Sequence, residues 1–233
     1  IPSHGKSTAL DQLLMWLAQR HGWTFALFSP EQQPLTRHQQ HLIEQYSGKP
    51  FHEGPRERLA MQEMLEANRW VADHFSFVLP EGEPSVETIL EKARVEIFRK
   101  GIKGIVVDPW NELEHNRPRH QSETEYISDA LSTFRRFARH HDVHMWIVAH
   151  PTKMRRTDDN TEPVPGLWDI SGSAHFRNKA DVGLTVWRDV AANDNTVDLH
   201  VTKVRFDDSG KVGKVRFGYE PSSKRLYAIG SES

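Results

Sequence analysis

Four short apolar runs, residues 24–29, 75–78, 102–107 and 143–149, are separated by stretches whose apolar residues recur at helical spacing. Strands joined through helices run parallel, because each crossover returns the chain to the same end of the sheet. A sheet covered on both faces by such helices reads as unbroken apolar strands, as these do. The expected fold class is therefore α/β, a mostly parallel central sheet with helices on both faces. Helical spacing opens with Leu10, Leu13, Leu14 and Leu17 and stops near His21-Gly22. It resumes over 37–73, with a break around Ser47-Gly48-Lys49-Pro50, and again over 86–100 and 126–141. The last third changes character: residues 182–187, 197–201, 212–219 and 226–229 are short strands joined by Gly, Asn and Asp turns, an antiparallel C-terminal extension of the sheet.

The 233 residues are 37% hydrophobic and 27% charged, enough for one filled core, and no repeat or linker divides them. No apolar run approaches the roughly 18 residues that a membrane helix requires, and no basic stretch leads into a hydrophobic signal region. A cytoplasmic protein with no membrane partner is expected. The absence of cysteine excludes a disulfide scaffold, thiol catalysis and thiolate zinc, so any metal is held by oxygen or histidine. Lys and Arg number 30 against 32 Asp and Glu, a net charge of -2, so attraction to nucleic acid has to be local.

Gly5-Lys6-Ser7-Thr8 opens the first helix and matches the second half of the Walker A pattern, Gly, four residues, then Gly-Lys-Ser/Thr. The first Gly would fall immediately before Ile1, so the chain is expected to begin inside the motif, with a strand upstream. Backbone N–H groups at a helix N-terminus favour phosphate, a lysine ammonium reaches the β/γ-phosphates, and a Ser7 hydroxyl can ligate Mg²⁺. Asp108 ends the apolar strand 102–107, the Walker B form, in which a carboxylate organises Mg²⁺ at the C-terminal edge of a parallel sheet. Glu31 follows another strand and would project from the same edge as a base for water. His150 ends a third strand and could contact the γ-phosphate. Each has an ordinary alternative: a solvated helix start, a helix N-cap for Asp108, a surface glutamate, a strand-capping histidine.

Taken in order, Pro2-Ser3-His4-Gly5-Lys6-Ser7-Thr8, Phe28-Ser29-Pro30-Glu31, Val106-Val107-Asp108-Pro109-Trp110-Asn111-Glu112, Val148-Ala149-His150, the run from Ser171 to Asp181, and Lys203-Val204-Arg205-Phe206 resemble the motor domain of DnaB-like replicative helicases. The likeness spans nearly the whole chain and is nearest to phage primase-helicases and the mitochondrial Twinkle type. It implies a RecA-like P-loop NTPase fold, a hexameric ring around single-stranded DNA, ATP or another NTP with Mg²⁺ bound between neighbouring subunits, and a primase domain or primase partner. By residue it places nucleotide on Ser3, His4, Gly5, Lys6, Ser7 and Thr8, and the metal at Ser7 and Asp108. It makes Glu31 the catalytic base and His150 the γ-phosphate switch. Lys203 and Arg205 become the pair that reaches into the next subunit's site, Arg205 as arginine finger, while Arg188 and Tyr219 hold the nucleotide base between them. Where such proteins usually carry glutamine near the end of the Gly-Ser-rich motif, this chain has Asn178, one methylene shorter. The chain holds neither a primase domain nor the linker helix of such rings, and resembles a motor domain excised from a bacterial or phage protein.

Two long polar stretches, 112–124 and 152–168, lack periodicity of their own. They are the expected DNA loops, tracking phosphates without reading bases. One carries His115, Arg117, Arg119 and His120, the other Lys153, Arg155 and Arg156, with Gly166 and Gly172 allowing close backbone approach. Arg177 and Asn178 belong with the second. As an alternative these charges only keep the loops solvated, and Asp158 and Asp159 dilute the basic character of the second cluster. The expected function is an NTP-driven DNA helicase motor. Its rivals are a RecA-family ATPase acting in recombination or regulation without unwinding, and a nucleotide-controlled assembly or loading module.

Overall fold

The structure is a computed structural model and describes residues 5–152, 163–172, 174–189 and 194–229. Its elements in chain order are α1 (Lys6–His21), β1 (Phe25–Phe28), α2 (Leu35–Ser47), α3 (Met61–His74), β2 (Phe75–Phe77), α4 (Val86–Lys100), β3 (Gly104–Val107), α5 (Glu123–His141), β4 (His144–Ile147), α6 (His175–Lys179), β5 (Val182–Trp187), β6 (Thr196–Val204), β7 (Gly213–Glu220) and β8 (Arg225–Ala228). Strands β1 to β4 form a parallel sheet in the order β2-β1-β3-β4.

Strand alternation divides the core into two layers. Ala26, Phe28, Ile105 and Val107 point to one face and pack with Ile89, Leu90 and Ala93 of α4 and Ile127, Phe134 and Phe137 of α5. Phe25, Leu27, Phe75 and Val106 point to the other and pack with Leu14 and Met15 of α1, Leu42 of α2 and Val71 of α3. Helices thus cover both faces. The chain leaves β1 through α2 and α3 to reach β2 on one side, and leaves β3 through α5 to reach β4 on the other. Direction reverses between β1 and β3, and the crevice beyond the C-terminal ends of such strands is where open α/β sheets bind ligands.

Two boundaries differ from the sequence reading. The helical stretch 37–73 is two helices separated by residues 48–60, because Gly48, Pro50, Gly54 and Pro55 break it over more than one turn. α5 starts at Glu123 rather than 126, because Ser122 accepts a hydrogen bond from the Glu125 N–H at 3.2 Å while the Glu125 carboxylate accepts from the Ser122 N–H at 2.9 Å.

The C-terminal strands make a separately hydrogen-bonded antiparallel sheet, β5-β6-β7-β8, rather than lengthening the ladder of the first. The sheet is seated on α1 and α2. The Leu226 N–H donates to Gln12 Oε1 at 3.1 Å, and Gln45 Nε2 donates to the carbonyls of Thr8 and Lys224, each at 3.0 Å. Arg225 donates to the Gln45 and Tyr46 carbonyls at the end of α2. Gly48 makes this possible: its φ of +75° is left-handed, and a Cβ there would run into the Arg225 guanidinium.

Candidate nucleotide site

Gly5 stands before α1 with a left-handed φ of 77°, so the turn into the helix suits glycine. Lys6 and Ser7 follow in the first helical turn, Glu31 lies beyond β1, Asp108 directly after β3, and His150 beyond β4. All five meet at the C-terminal edge of the parallel sheet. Lys6 Nζ lies 3.5 Å from His150 Nδ1, and His150 Nε2 lies 3.7 Å from Glu31 Oε1. The Ser7 side chain hydrogen-bonds the Asp108 carboxyl, which is 4% exposed.

Burial dominates the electrostatics. It pushes the Asp108 carboxyl up to about 6, against the Ser7 hydrogen bond, with Asp11 and Glu31 adding repulsion and Lys6 opposing them. Burial also holds Lys6 below the usual lysine value, while Asp108 and Glu31 pull it back up. His150 is lowered by burial and then by the Lys6 charge, against Glu31. A buried carboxyl, a hydroxyl on it and a desolvated ammonium form a site suited to an anionic ligand and a cation together. It can take a phosphate chain on the helix N-terminus and Lys6.

The remaining residues fall elsewhere. Thr8 is in α1 with its carbonyl held by Gln45. Lys203 and Arg205 gather on α6: Lys203 Nζ donates to the carbonyls of Arg177 and Ala180 at 2.5 and 2.6 Å, and Arg205 Nη2 to that of Asn178 at 2.6 Å. The carboxylate that meets Arg205 is Asp181, at 2.7 Å from Nε. The Arg188 guanidinium stands 5.9 Å from the centre of the Tyr219 ring, in direct cation–π contact, so a base held between them has to part them. Arg117 and Arg119 are exposed on the loop before α5, and Arg177 and Asn178 are exposed on α6. Ser3, His4, Lys153, Arg155 and Arg156 lie outside the described residues.

Three positions stand in or beside the site although the sequence reading gave them no individual role. Asn111 Oδ1 accepts from the His150 N–H at 3.4 Å, and Asp11 is close enough to raise Asp108. Trp110, two residues past Asp108, packs on His115 of the first loop at 4.8 Å and on Phe176 of α6 at 5.5 Å. Trp110 and Asn111 stood in the motif run after the strand-end carboxylate, with no role attached to either.

The sequence profile of the DnaB-like helicase C terminal domain matches residues 1–228. The chain belongs to that family. The Twinkle homolog protein, chloroplastic/mitochondrial, of Arabidopsis thaliana is 39% identical over 229 residues, covering 94% of this chain and 32% of its own length. The chain therefore spans about a third of that relative. Among solved structures, a DnaB-like replicative helicase, solved for its interactions with primase, superposes with a TM-score of 0.79 at 19% identity, over 98% of this chain and 57% of that one. A separately solved ATPase domain gives 0.79 at 19% over 98% and 82%. The RadB recombinase gives 0.62 at 12% over 98% and 87%, so the RecA-like fold is shared beyond the DnaB-like helicases. The Lys6, Ser7, Asp108 cluster lies within the matched residues. Among the described residues no helix is long and apolar enough to cross a membrane.

Proposed function

We propose that this chain is the motor of a hexameric replicative helicase, hydrolysing ATP or another NTP at subunit interfaces to move along single-stranded DNA and part the duplex. The observation that carries the reading is the convergence of Lys6, Ser7, Glu31, Asp108 and His150, drawn from four separate elements, at one sheet edge in a DnaB-like domain. Lys6 bridges the phosphates, Glu31 takes a proton from water, and His150 senses the γ-phosphate. Lys203 and Arg205 serve the neighbouring subunit's nucleotide.

The donor set fits Mg²⁺. Ser7 and Asp108 offer hard oxygen, and a site with few protein ligands suits an ion that keeps water and phosphate oxygens in its shell. A dication also offsets the burial that drives Asp108 toward its neutral form. Bound there, Mg²⁺ would neutralise charge on the phosphates.

A primase domain or partner fits the Twinkle-like and primase-associated relatives. A cytoplasmic bacterial or phage setting is proposed for this chain, although its Arabidopsis relative carries an organellar name. The test is NTP turnover with and without single-stranded DNA, plus strand displacement, by the full-length protein and its Lys6→Ala variant. DNA-stimulated turnover and unwinding, both lost in a variant that melts normally, are expected. Stimulated turnover without strand displacement would favour a recombination or regulatory ATPase, and nucleotide-dependent assembly without turnover an assembly module.

A further inference from the structure

We propose that Trp168 and Arg177 form a stacking platform for a base of single-stranded DNA, an inference that rests on the DNA-motor reading above. Trp168 is 61% exposed, even though the Arg177 guanidinium stands 4.6 Å from the centre of its ring. An indole on the surface is costly to leave in water and offers a large flat π-face. Every base has such a face, so stacking suits a motor that must pass over any sequence. The guanidinium adds a charge that a neighbouring phosphate or a stacked base can meet.

Both side chains are borne on anchored backbone. Beside Trp168, the Asp169 carbonyl accepts from the Thr152 N–H at 2.7 Å, and the Asp169 carboxylate accepts from the Gly166 N–H, also at 2.7 Å. Beside Arg177, Phe176 is 6% exposed and packs on Trp110. Lys179, two residues on, donates to the Ser128 carbonyl and hydroxyl at 2.6 and 2.8 Å. A platform held from behind spends little ordering entropy when a base lands on it. It is also wired to the nucleotide: Ile170 pairs with Pro151, the Ser171 N–H reaches the His150 carbonyl at 3.4 Å, and Trp110 follows Asp108 by two residues. A shift of His150 or Asp108 with nucleotide state would therefore be felt at Ile170, Ser171 and Phe176, one to three residues from the stack. Phosphate tracking alone would use Arg177 and leave the exposed indole without a purpose.

The test measures binding of labelled oligothymidylate by the full-length protein with a non-hydrolysable NTP analogue, across a range of salt. Trp168→Ala is expected to lose about 5- to 150-fold in affinity, the worth of one stacked base, with an unchanged salt slope. Trp168→Phe should restore most of it. Arg177→Ala should weaken binding and also flatten the slope, because it removes a cation. An abasic oligonucleotide should bind wild type and Trp168→Ala alike. Wild-type affinity of Trp168→Ala for oligothymidylate, or an equal loss on the abasic strand, overturns the stack and leaves the motor reading standing. Loss of affinity that accompanies loss of the ring in sedimentation makes Trp168 a contact between subunits, and likewise overturns it. Failure of the wild type to bind single-stranded DNA would remove the motor reading itself, and the platform with it.

Discussion

Lys6 Nζ and His150 Nδ1 face each other at 3.5 Å, a donor against an imidazole whose hold on a second proton is weakened by burial and by the Lys6 charge, against Glu31. An ammonium has only protons to give, so Nδ1 accepts and the ring proton sits on Nε2. That proton points toward Glu31 Oε1, 3.7 Å away. One imidazole therefore stands between the cation assigned to the phosphates and the carboxylate assigned to water. On the proposed reading, a γ-phosphate would give Lys6 a stronger partner than imidazole, freeing Nδ1 and leaving His150 to follow either the phosphate or Glu31. The His150 carbonyl and N–H already engage Ser171 and Asn111, so this movement has a path out of the site.

Glu31→Gln separates binding from chemistry. The amide keeps the shape and the approach to His150 but cannot take a proton, so nucleotide affinity should hold while turnover falls about 10²–10⁴-fold, the contribution of a positioned general base. The measurement is nucleotide affinity beside single-turnover hydrolysis. A variant that hydrolyses at the wild-type rate would make Glu31 a surface carboxylate and turn attention to Glu112, in the turn just beyond Asp108.

Asp198 gives a stability prediction with a pH signature. It is 4% exposed and accepts from Arg216 Nε and Nη2 at 2.6 and 2.9 Å, with Lys214 Nζ at 3.4 Å. The Arg216 hydrogen bonds hold its carboxyl below the usual carboxylate range. A depressed carboxyl contributes stability that is present above its unfolded pKa, about 3.9, and lost as pH falls through the lower folded value. Arg216→Met strands the carboxylate with Lys214 alone and should lower the melting temperature at pH 7, though only modestly because the Arg216 side chain is half exposed. Melting curves of both proteins from pH 7 downward should show the gap narrowing below about pH 4. A gap that stays constant with pH would mean that Arg216 acts through packing alone.

The parallel sheet was legible because its strands are short, mostly apolar runs between amphipathic helices, fully buried in β1 and β3 and half-buried at the β4 edge. Glu31, Asp108 and His150 were legible because each stands at or just beyond a strand end, where parallel strands deliver side chains to one edge. What stayed hidden depends on neighbours distant in sequence. Lys203 and Arg205 stand two residues apart in sequence, but the pairing of Val204 with Val182 is what sets Asp181 beside Arg205, and no single strand reveals its register. Trp110 likewise stood in a motif run with no partner named, and its contacts with Phe176 and His115 come from elements far along the chain. The seating of the antiparallel sheet on α1 through Gln12 and Gln45 has no local pattern at all.

Arg205 bears the strongest prediction, because the structure gives it an anion in its own subunit. Asp181 Oδ1 lies 2.7 Å from Arg205 Nε, in an approach too oblique for a hydrogen bond, and shares its charge with Arg135 Nη2 at 3.3 Å. A carboxylate divided between two guanidiniums and half exposed is a weak competitor for either. A γ-phosphate at a subunit interface, with more charge and less water, would outbid it and draw Arg205 across, loosening its hold on the α6 carbonyls as it goes. An arginine finger of this kind is worth on the order of 10³–10⁵ in rate. Finger and base then serve different sites, so rings mixed from Arg205→Ala and Glu31→Gln subunits of the full-length protein contain some interfaces with both groups intact. Each variant alone should be nearly inactive, and mixing should restore a measurable fraction of DNA-stimulated turnover. Two variants that form mixed rings by native mass spectrometry yet recover nothing would place Arg205 with Asp181 in its own subunit, as a strut for α6 with no part in the neighbour's chemistry.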